Sequence, residues 1–184
     1  ANAAFQVLDV ERSVLPRDTY DVVLFAMSLH HVRRLEYVLE EVAATLKPGG
    51  WLLIDEFVGA SQWQWSDAQL AAINTLLAAL PERYRRHAIT GETKQREEPP
   101  SLAAMNAADP SESIRAAEIL PLLERRFDIV DRRDYGGVIL HKLLENIVGN
   151  FDARRPGDVE LLQMLFAAEQ ALLRGGGLSS DFTL

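Results

Sequence analysis

The stretch from Tyr20 to Glu56 reads YDVVLFAMSLHHVRRLEYVLEEVAATLKPGGWLLIDE, and it decides the fold. It predicts an apolar strand at Asp21–Phe25 and a second one at Trp51–Ile54, because both are short apolar runs bounded by polar or turn-forming residues. Between them, apolar residues recur at the three- and four-residue spacings of one buried stripe, which predicts a helix over Leu35–Leu46. Two strands joined by one helix form a βαβ unit of a parallel sheet.

Polar side chains follow both strands of this unit. Ser28, His30 and His31 come after the first strand, and Asp55 and Glu56 end the second. In open parallel sheets, ligands bind at the carboxyl ends of the strands. We therefore expect this segment to carry a functional site as well as part of the core.

The rest of the chain predicts further elements of one α/β domain. We expect residues 57–126 to form a helical and loop insertion, in which the polar stretch 85–110 is a long surface loop that acts as a lid over the substrate. The turn Tyr135-Gly136-Gly137 supplies the permissive backbone of a chain reversal. The remaining predicted elements are strands at Phe5–Leu8, at Phe127–Arg132 and from Phe182, and helices from Asp67 to Leu80, from Ser111 to Arg125, over Val138–Val148 and over Asp158–Leu173.

Composition excludes several classes of protein. The chain has 184 residues, which suits a single domain with a real core. Its net charge of -8 argues against a general nucleic-acid partner or an anionic membrane surface, since neither attracts an acidic protein. The absence of cysteine rules out disulfides and thiolate chemistry. No apolar run reaches the ~20 residues of a membrane span, and no signal peptide is visible, so we expect a cytoplasmic location.

The order of several short motifs resembles the class I S-adenosylmethionine-dependent methyltransferases, in the subgroup that acts on small molecules. The resemblance covers residues 5–56 and implies an α/β fold with a Rossmann-like sheet. It also implies S-adenosylmethionine as cofactor and methyl transfer to an oxygen or nitrogen of a small-molecule acceptor. The motifs are a strand ending at Asp9, the pair Leu15-Pro16, YDVV at 20–23, LHH at 29–31, LKPGG at 46–50 and the strand ending in Asp55-Glu56.

The resemblance further implies that the sheet is partial. No glycine-rich cofactor loop of the family precedes Phe5, so we expect strands three to seven of the family fold, without the first two, and helices on both faces. We expect residues 1–184 to be one domain, truncated at its N-terminus and slightly at its C-terminus. In this numbering the third to seventh strands are Phe5–Leu8, Asp21–Phe25, Trp51–Ile54, Asp128–Asp134 and the segment from Phe182 onward.

By the same resemblance, five residues would contact the cofactor. The Asp9 carboxylate, followed by Val10, would accept a hydrogen bond from the adenine amino group. Its plain alternative is an Asp that caps a turn. The backbone of Phe25, Ala26 and Met27 would lie against the methionine portion, and the alternative for Phe25 and Met27 is core packing.

The adjacent histidines are the candidates for catalysis. A neutral imidazole near the methyl donor can take a proton from the acceptor at physiological pH, and we assign this role to His31 first and His30 second. The alternative is a polar cluster at the start of a helix. We predict no metal site, because two adjacent ligands without a third nearby hold a metal poorly. A hydrolase that uses Ser28 and His31 is the weaker interpretation, because the motif G-x-S-x-G is absent.

Five further residues are candidates for contact with the substrate. Either Asp55 or Glu56 could orient a hydroxyl or amine, or could simply be a solvated strand end. Trp63 and Tyr135 could wall a pocket, and Arg115 could pair with an acidic group of the substrate. Core packing for Trp63 and a surface ion pair for Arg115 are the alternatives.

The missing strands have a physical consequence for the strand Asp21–Phe25. It would expose an apolar edge, which invites pairing with another chain. We therefore expect either a displaced N-terminal segment or a homodimer formed through this edge. A non-catalytic methyltransferase-like remnant, serving self-association or partner binding, is the alternative to an enzyme.

Overall fold

The computed structural model describes residues 2–184. This part of the chain contains four β-strands and six α-helices. None of these helices is both long and apolar enough to cross a membrane. The strands are β1 (Tyr20–Ala26), β2 (Leu46–Phe57), β3 (Asp134–Gly136) and β4 (Phe182–Thr183), and the helices are α1 (Leu35–Thr45), α2 (Asp67–Ala79), α3 (Leu102–Ala108), α4 (Ile119–Arg126), α5 (Leu140–Leu144) and α6 (Pro156–Arg174).

The four strands form one mixed sheet in the order β1-β2-β4-β3. β1 and β2 are parallel, with Phe25 opposite Ile54 and Ala26 opposite Asp55, so the predicted βαβ unit is confirmed. β4 lies antiparallel to both β2 and β3. A mixed α/β architecture of this kind is consistent with a Rossmann-like fold.

The predicted helix stripe builds the first core. Leu35, Val38, Leu39 and Val42 of α1 are buried, and α1 packs beside α4 on one face of the β1–β2 pair. The strand residues that point to this face, such as Phe25, are packed against the same cluster.

The opposite face of the β1–β2 pair is exposed, which differs from the expectation of helices on both faces. Val22 and Leu24 of β1 and Trp51 and Leu53 of β2 are each about half exposed or more, at 48–62%. Alternation along a strand sends these residues to the face away from α1, which the described part of the chain leaves about half open to solvent.

Helices α2, α5 and α6 build a second core. Ile73 and Leu77 of α2 pack with Ile139 and Leu143 and with Leu165 of α6. The predicted start of α2 is confirmed: the Ser66 side chain accepts a hydrogen bond from the Gln69 N–H at 3.2 Å and caps the helix. The prediction of α6 is confirmed as well.

Two predicted strands do not form where they were expected. Phe5–Leu8 has no strand pairing, and Phe5 is 97% exposed, because no neighbouring strand offers it hydrogen-bond partners. The predicted strand over Phe127–Arg132, or Asp128–Asp134 by the resemblance, is replaced by β3. β4, the partner strand of β3, is only two residues long. Backbone hydrogen bonds join Arg133 to Leu184, so the pairing with this segment begins at Arg133.

Three other predicted elements are shorter or broken. The segment from Ser111 to Arg125 is not one continuous helix, because a turn and a short 3-10 helix precede α4. The expected helix Val138–Val148 is reduced to α5, because it is interrupted at Asn146, whose φ is +60°. The polar loop 85–110 holds α3 near its end, and its role as a lid stays a prediction.

Candidate active site

Glu56 is the centre of the site at the carboxyl end of β2. Its side chain is 0% exposed and accepts hydrogen bonds from the backbone N–H groups of Ser28 at 2.9 Å, Leu29 at 2.6 Å and Phe57 at 3.0 Å. The N–H groups of Ser28 and Leu29 are free because they open the short 3-10 helix Leu29–His31, where no earlier carbonyl can accept from them. A buried carboxylate with this many donors is held in one orientation.

The fourth partner of Glu56 is the buried side chain of His30. The Nδ1 atom of His30 contacts the Oε1 atom of Glu56. Burial disfavours the imidazolium form, but the hydrogen bond and charge of Glu56 outweigh burial and raise the pKa of His30. Burial also opposes ionisation of Glu56, yet the hydrogen bonds from His30 and the backbone lower the pKa of this carboxyl.

His31 lies beside His30 but has different partners. Its ring centroid is 4.3 Å from that of His30, and its Nδ1 atom lies 3.1 Å from the Oγ atom of Ser111. Ser111 Oγ donates in turn to Asp109 Oδ1 at 2.6 Å. The hydrogen bonds that the Ser111 hydroxyl and backbone N–H donate to Asp109 lower the pKa of that carboxyl.

Glu112 faces both histidines from the loop before α4. Its Oε1 atom lies 3.9 Å from His30 Nε2, and its Oε2 atom lies 3.9 Å from His31 Nε2. The Oε1 atom also accepts a hydrogen bond from Ser113 Oγ at 2.6 Å. One ligand atom each of His30, His31 and Glu112 lie within 4.8 Å of one another, so these three side chains can hold a metal ion.

This third ligand corrects the reasoning behind the prediction of no metal site. The sequence places Glu112 far along the chain from the histidine pair, and no local spacing joins them. The fold brings them together because the Ile114 N–H donates to the His30 carbonyl at 3.2 Å, and the Arg33 guanidinium donates to the Pro110 carbonyl at 2.6 Å.

Arg115 and Trp63 also fix this loop. All five N–H donors of Arg115 are engaged, by the carboxylates of Glu36 and Glu118 and by the Arg33 carbonyl, at 2.6–2.8 Å. This agrees with the ion-pair alternative for Arg115 and leaves no N–H donor for an acidic substrate. Its role in substrate binding stays a prediction without support from the geometry.

The Trp63 indole anchors the same loop, through a hydrogen bond to Ser113 Oγ at 3.1 Å. Its ring stacks on that of Trp65, and the Lys142 ammonium lies 4.5 Å from the Trp63 ring centroid. Trp63 is therefore anchored to the loop that carries Glu112, and its contact with a substrate stays a prediction.

Phe25, Ala26 and Met27 lie at the carboxyl end of β1, and their contact with the cofactor stays a prediction. The Met27 N–H donates to the Asp55 carbonyl at 2.7 Å, and Met27 has a left-handed backbone, with φ at +47°. Residues held in this region of backbone space cluster at functional sites. The Met27 side chain is 45% exposed and open to a ligand.

Asp9 and Val10 lie on an exposed segment without strand pairing. The Asp9 carboxylate accepts a hydrogen bond from the Glu11 N–H at 3.0 Å and lies 3.5 Å from the Arg12 guanidinium. This is the arrangement of a turn-capping Asp, the alternative given above. Contact of Asp9 and Val10 with the cofactor stays a prediction.

Asp55 and Tyr135, both predicted to contact substrate, are brought together. The Tyr135 hydroxyl donates to Asp55 Oδ1 at 2.6 Å, and burial with this hydrogen bond raises the pKa of Tyr135 to about 12. Asp55 is the partner of Ala26 on the neighbouring strand. The Asp55–Tyr135 pair therefore lies at the same strand ends as the histidines. Glu56, in contrast, is buried and turned inward to His30, and its contact with a substrate stays a prediction without support from the geometry.

A cavity of about 740 Å³ lies away from this site. Leu24, Trp51, Leu53 and Ile129 are among its lining residues, which include no histidine. It continues the exposed apolar face of the sheet, so we do not assign the chemistry to it.

Comparison with known proteins finds matches to only part of the chain. Residues 1–54 match the family model described as a methyltransferase domain. The chain is 42% identical over 60 residues to the hybrid PKS-NRPS synthetase iliA of Neonectria sp. (strain DH2), and 42% over 59 residues to the hybrid PKS-NRPS synthetase apdA of Emericella nidulans. Each match covers 30% of this chain and 2% of the synthetase.

A smaller enzyme matches as well. The chain is 33% identical over 61 residues to the ubiquinone/menaquinone biosynthesis C-methyltransferase UbiE of Hydrogenovibrio crunogenus, which is 33% of this chain and 24% of that protein. The chain thus spans only a small part of the relatives it matches. The segment that matches the family model carries β1, the histidine turn and most of β2. Over residues 1–54 the chain is therefore similar to methyltransferase domains, and the rest of the chain lies outside this match.

Proposed function

We propose that this protein takes part in methyl transfer from S-adenosylmethionine to a small molecule, and that His30 is the base that removes a proton from the acceptor. The observation that carries this proposal is the buried contact of His30 Nδ1 with Glu56. An ionised carboxylate can only accept at that atom, so His30 keeps its proton on Nδ1 and presents the lone pair of Nε2. Glu56 also stabilises the imidazolium that forms when Nε2 takes a proton.

The residues at the end of β1 fit the cofactor that the family implies. The fit rests on the exposed end of this strand, where Ala26 and the left-handed Met27 offer open backbone and a thioether just before the histidine turn. When bound, the cofactor supplies an electrophilic methyl group. Phe25, Ala26 and Met27 would hold its methionine portion.

We propose a carbon acceptor next to a carbonyl group, in place of the oxygen or nitrogen expected from the sequence. A neutral amine attacks with its own lone pair, whereas such a carbon, like a hydroxyl oxygen, becomes a strong nucleophile only after a base removes its proton. A dedicated buried base with a raised pKa suits the second case better. The C-methyltransferase among the relatives supports this choice.

The test uses the full chain with methyl-labelled S-adenosylmethionine and a panel of β-dicarbonyl thioesters, phenols and amines. We expect the label on carbon of the dicarbonyl compounds, detected by mass spectrometry, and binding of S-adenosylhomocysteine by calorimetry. Label on the phenols or amines alone would overturn the carbon acceptor. No label on any compound, with no binding of S-adenosylhomocysteine to the folded chain, would overturn the proposed activity.

The exposed sheet face favours a second candidate, the non-catalytic protein that self-associates. β1 is an edge strand, and Val22, Leu24, Trp51 and Leu53 form a continuous apolar surface beside it. We propose that a second copy of the chain covers this surface in a homodimer. Light scattering should show a dimer that the double variant Leu24→Lys/Leu53→Lys abolishes, and a monomeric wild-type chain at all concentrations would refute it.

A further inference from the structure

We propose that His30, His31 and Glu112 form a binding site for a divalent transition metal of the Zn²⁺ class. Two imidazoles and one carboxylate are a ligand set found in zinc sites, with further coordination positions left for water or a ligand. The three side chains come from the turn after β1 and from the loop before α4, so an ion at this point would tie the two segments together.

Both imidazoles have their Nδ1 atoms engaged outside the cluster. Nδ1 of His30 contacts Glu56, and Nδ1 of His31 lies 3.1 Å from Ser111 Oγ. Ser111 Oγ donates its hydrogen bond to Asp109, so it can only accept one from His31. Each ring therefore carries its proton on Nδ1 and directs a lone pair from Nε2 into the cluster.

These two lone pairs face the Glu112 carboxylate. Nε2 of each ring lies 3.9 Å from one of its oxygens, which is too long for a hydrogen bond. With both rings neutral, three acceptors face one another and repel unless a proton or a metal ion lies between them. Two metal–ligand bonds of about 2.0–2.1 Å at a tetrahedral angle place their ligand atoms about 3.4 Å apart, so each gap needs to close by about half an ångström to hold an ion.

The three ligand atoms lie within 4.8 Å of one another, so an ion between them requires the side chains to move closer together, and the His31 side chain is 37% exposed. The hydrogen-bond partners of the two Nδ1 atoms also support a metal site. Metal-binding histidines commonly donate their other N–H to a carboxylate or another oxygen, which fixes the ring and its tautomer. Glu56 and Ser111 stand in these two positions.

A metal ion on Nε2 of His30 would occupy the lone pair that the proposed base uses. Metal binding and proton abstraction would therefore exclude each other, and the ion would hold the Glu112 loop closed over His30. This consequence rests on the proposed function, whereas the metal site itself does not.

The site is tested with Zn²⁺ and Co²⁺ on the full chain after treatment with a chelator. We expect one Zn²⁺ per chain by calorimetry, and Co²⁺ absorption bands typical of four or five ligands, which Zn²⁺ removes. Glu112→Gln and His31→Asn should each weaken Zn²⁺ binding by about tenfold or more. The matched control is His87→Asn, which removes a histidine outside the cluster and should bind like the wild-type chain.

The folded wild-type chain failing to bind either metal would overturn the site, and so would unchanged binding by Glu112→Gln and His31→Asn. Loss of binding in His87→Asn would assign the metal to the surface instead. A further arm separates the two proposals: Zn²⁺ should inhibit methyl transfer in the wild-type chain more than in Glu112→Gln, each relative to its own metal-free rate. Stoichiometric Zn²⁺ binding without inhibition would overturn the role of His30 as base and leave the metal site standing.

Discussion

The Nδ1 atom of His30 contacts the Oε1 atom of Glu56, although 26 residues separate the two in sequence. The same carboxylate accepts three backbone N–H groups, two of them from the turn that carries His30. Glu56 therefore positions the turn and orients the imidazole at once. A change at Glu56 should affect both the stability of the chain and the state of His30.

Replacement of Glu56 by Gln should reveal this double role. The Gln side chain has the same shape, but its NH₂ group replaces a carboxylate oxygen and faces N–H donors. These buried donors lose their acceptor, which should cost about 1–3 kcal/mol in the free energy of unfolding. The ¹⁵N chemical shifts of His30 should also show loss of the single Nδ1–H tautomer. Urea denaturation and NMR provide the measurements, with the exposed Glu160→Gln on α6 as control. Equal stability and equal histidine shifts in both variants would contradict the role of Glu56.

The two histidines should differ in their effect on activity. His30→Asn removes the base oriented by Glu56 and should lower kcat by about 10²–10⁴-fold, whereas His31→Asn should lower it far less. Binding of S-adenosylhomocysteine should survive in both variants, which separates a chemical defect from loss of the fold. Rates are measured without metal, in chelator. An equal loss in the two variants would remove the distinction between the rings.

Arg115 should control the order of the loop that carries Glu112 more than the stability of the whole chain. Its partners Glu36 and Glu118 are more than half exposed, so solvent screens these ion pairs, and Arg115→Gln should cost only about 1 kcal/mol. The amides of residues 109–115 should nevertheless exchange hydrogen faster. Arg125→Gln on α4 is the control, and unchanged exchange in Arg115→Gln would argue that other contacts hold the loop.

Local patterns predicted the parts of the fold whose cause is local. The apolar stripe of α1 and the start of α2 at Asp67 each depend on neighbouring residues, and the structure has both. The predicted turn Tyr135-Gly136-Gly137 instead contributes Tyr135 and Gly136 to β3, although both glycines have a positive φ. The prediction of a strand at Phe5–Leu8 was wrong, because a strand needs a partner strand, which can lie far away in the sequence. Glu112 was missed for a similar reason, since its approach to the histidines depends on how the loop docks through Arg115 and not on any spacing in sequence.

Asp181 should make the stability of the chain depend on pH. Burial raises the pKa of Asp181 to about 7, and the charge of Glu169 adds to this shift, although a hydrogen bond from Gln69 opposes it. The unfolded chain ionises this group near pH ~3.9, so the folded state binds the extra proton between these values. Stability from this group is therefore complete at low pH and is lost as the pH rises through about 7.

Asp181→Asn removes this titration. At a pH of about 8 the variant should be more stable than the wild-type chain, by on the order of 2–4 kcal/mol, and the difference should shrink toward a pH of about 4. Denaturation by urea across this range is the measurement, and Asp67→Asn, at the exposed start of α2, is the control. A variant that is less stable than wild type at the higher pH would show that the carboxylate form is favoured in the fold.

Gly137 lies against Phe182 with a backbone that favours glycine. Its φ is +81°, and an added Cβ would lie 2.3 Å from the Cδ2 atom of the Phe182 ring. That ring packs against Phe57 and Tyr135, with centroids 5.3 Å and 5.7 Å away. Gly137→Ala should therefore destabilise the chain by two separate effects, a strained backbone and a steric clash.

Two other glycines separate these effects. Gly176 also has a positive φ, at +71°, but an added Cβ meets nothing within 4 Å, so Gly176→Ala should cost only about 1–2 kcal/mol of backbone strain. Gly149 has neither constraint, and Gly149→Ala should be neutral or slightly stabilising. Gly137→Ala should exceed Gly176→Ala by a further ~1–3 kcal/mol of overpacking in urea denaturation. Equal losses at residues 137 and 176 would mean that the Phe182 ring moves aside freely, and the junction of β3, β4 and α5 would then be loosely packed.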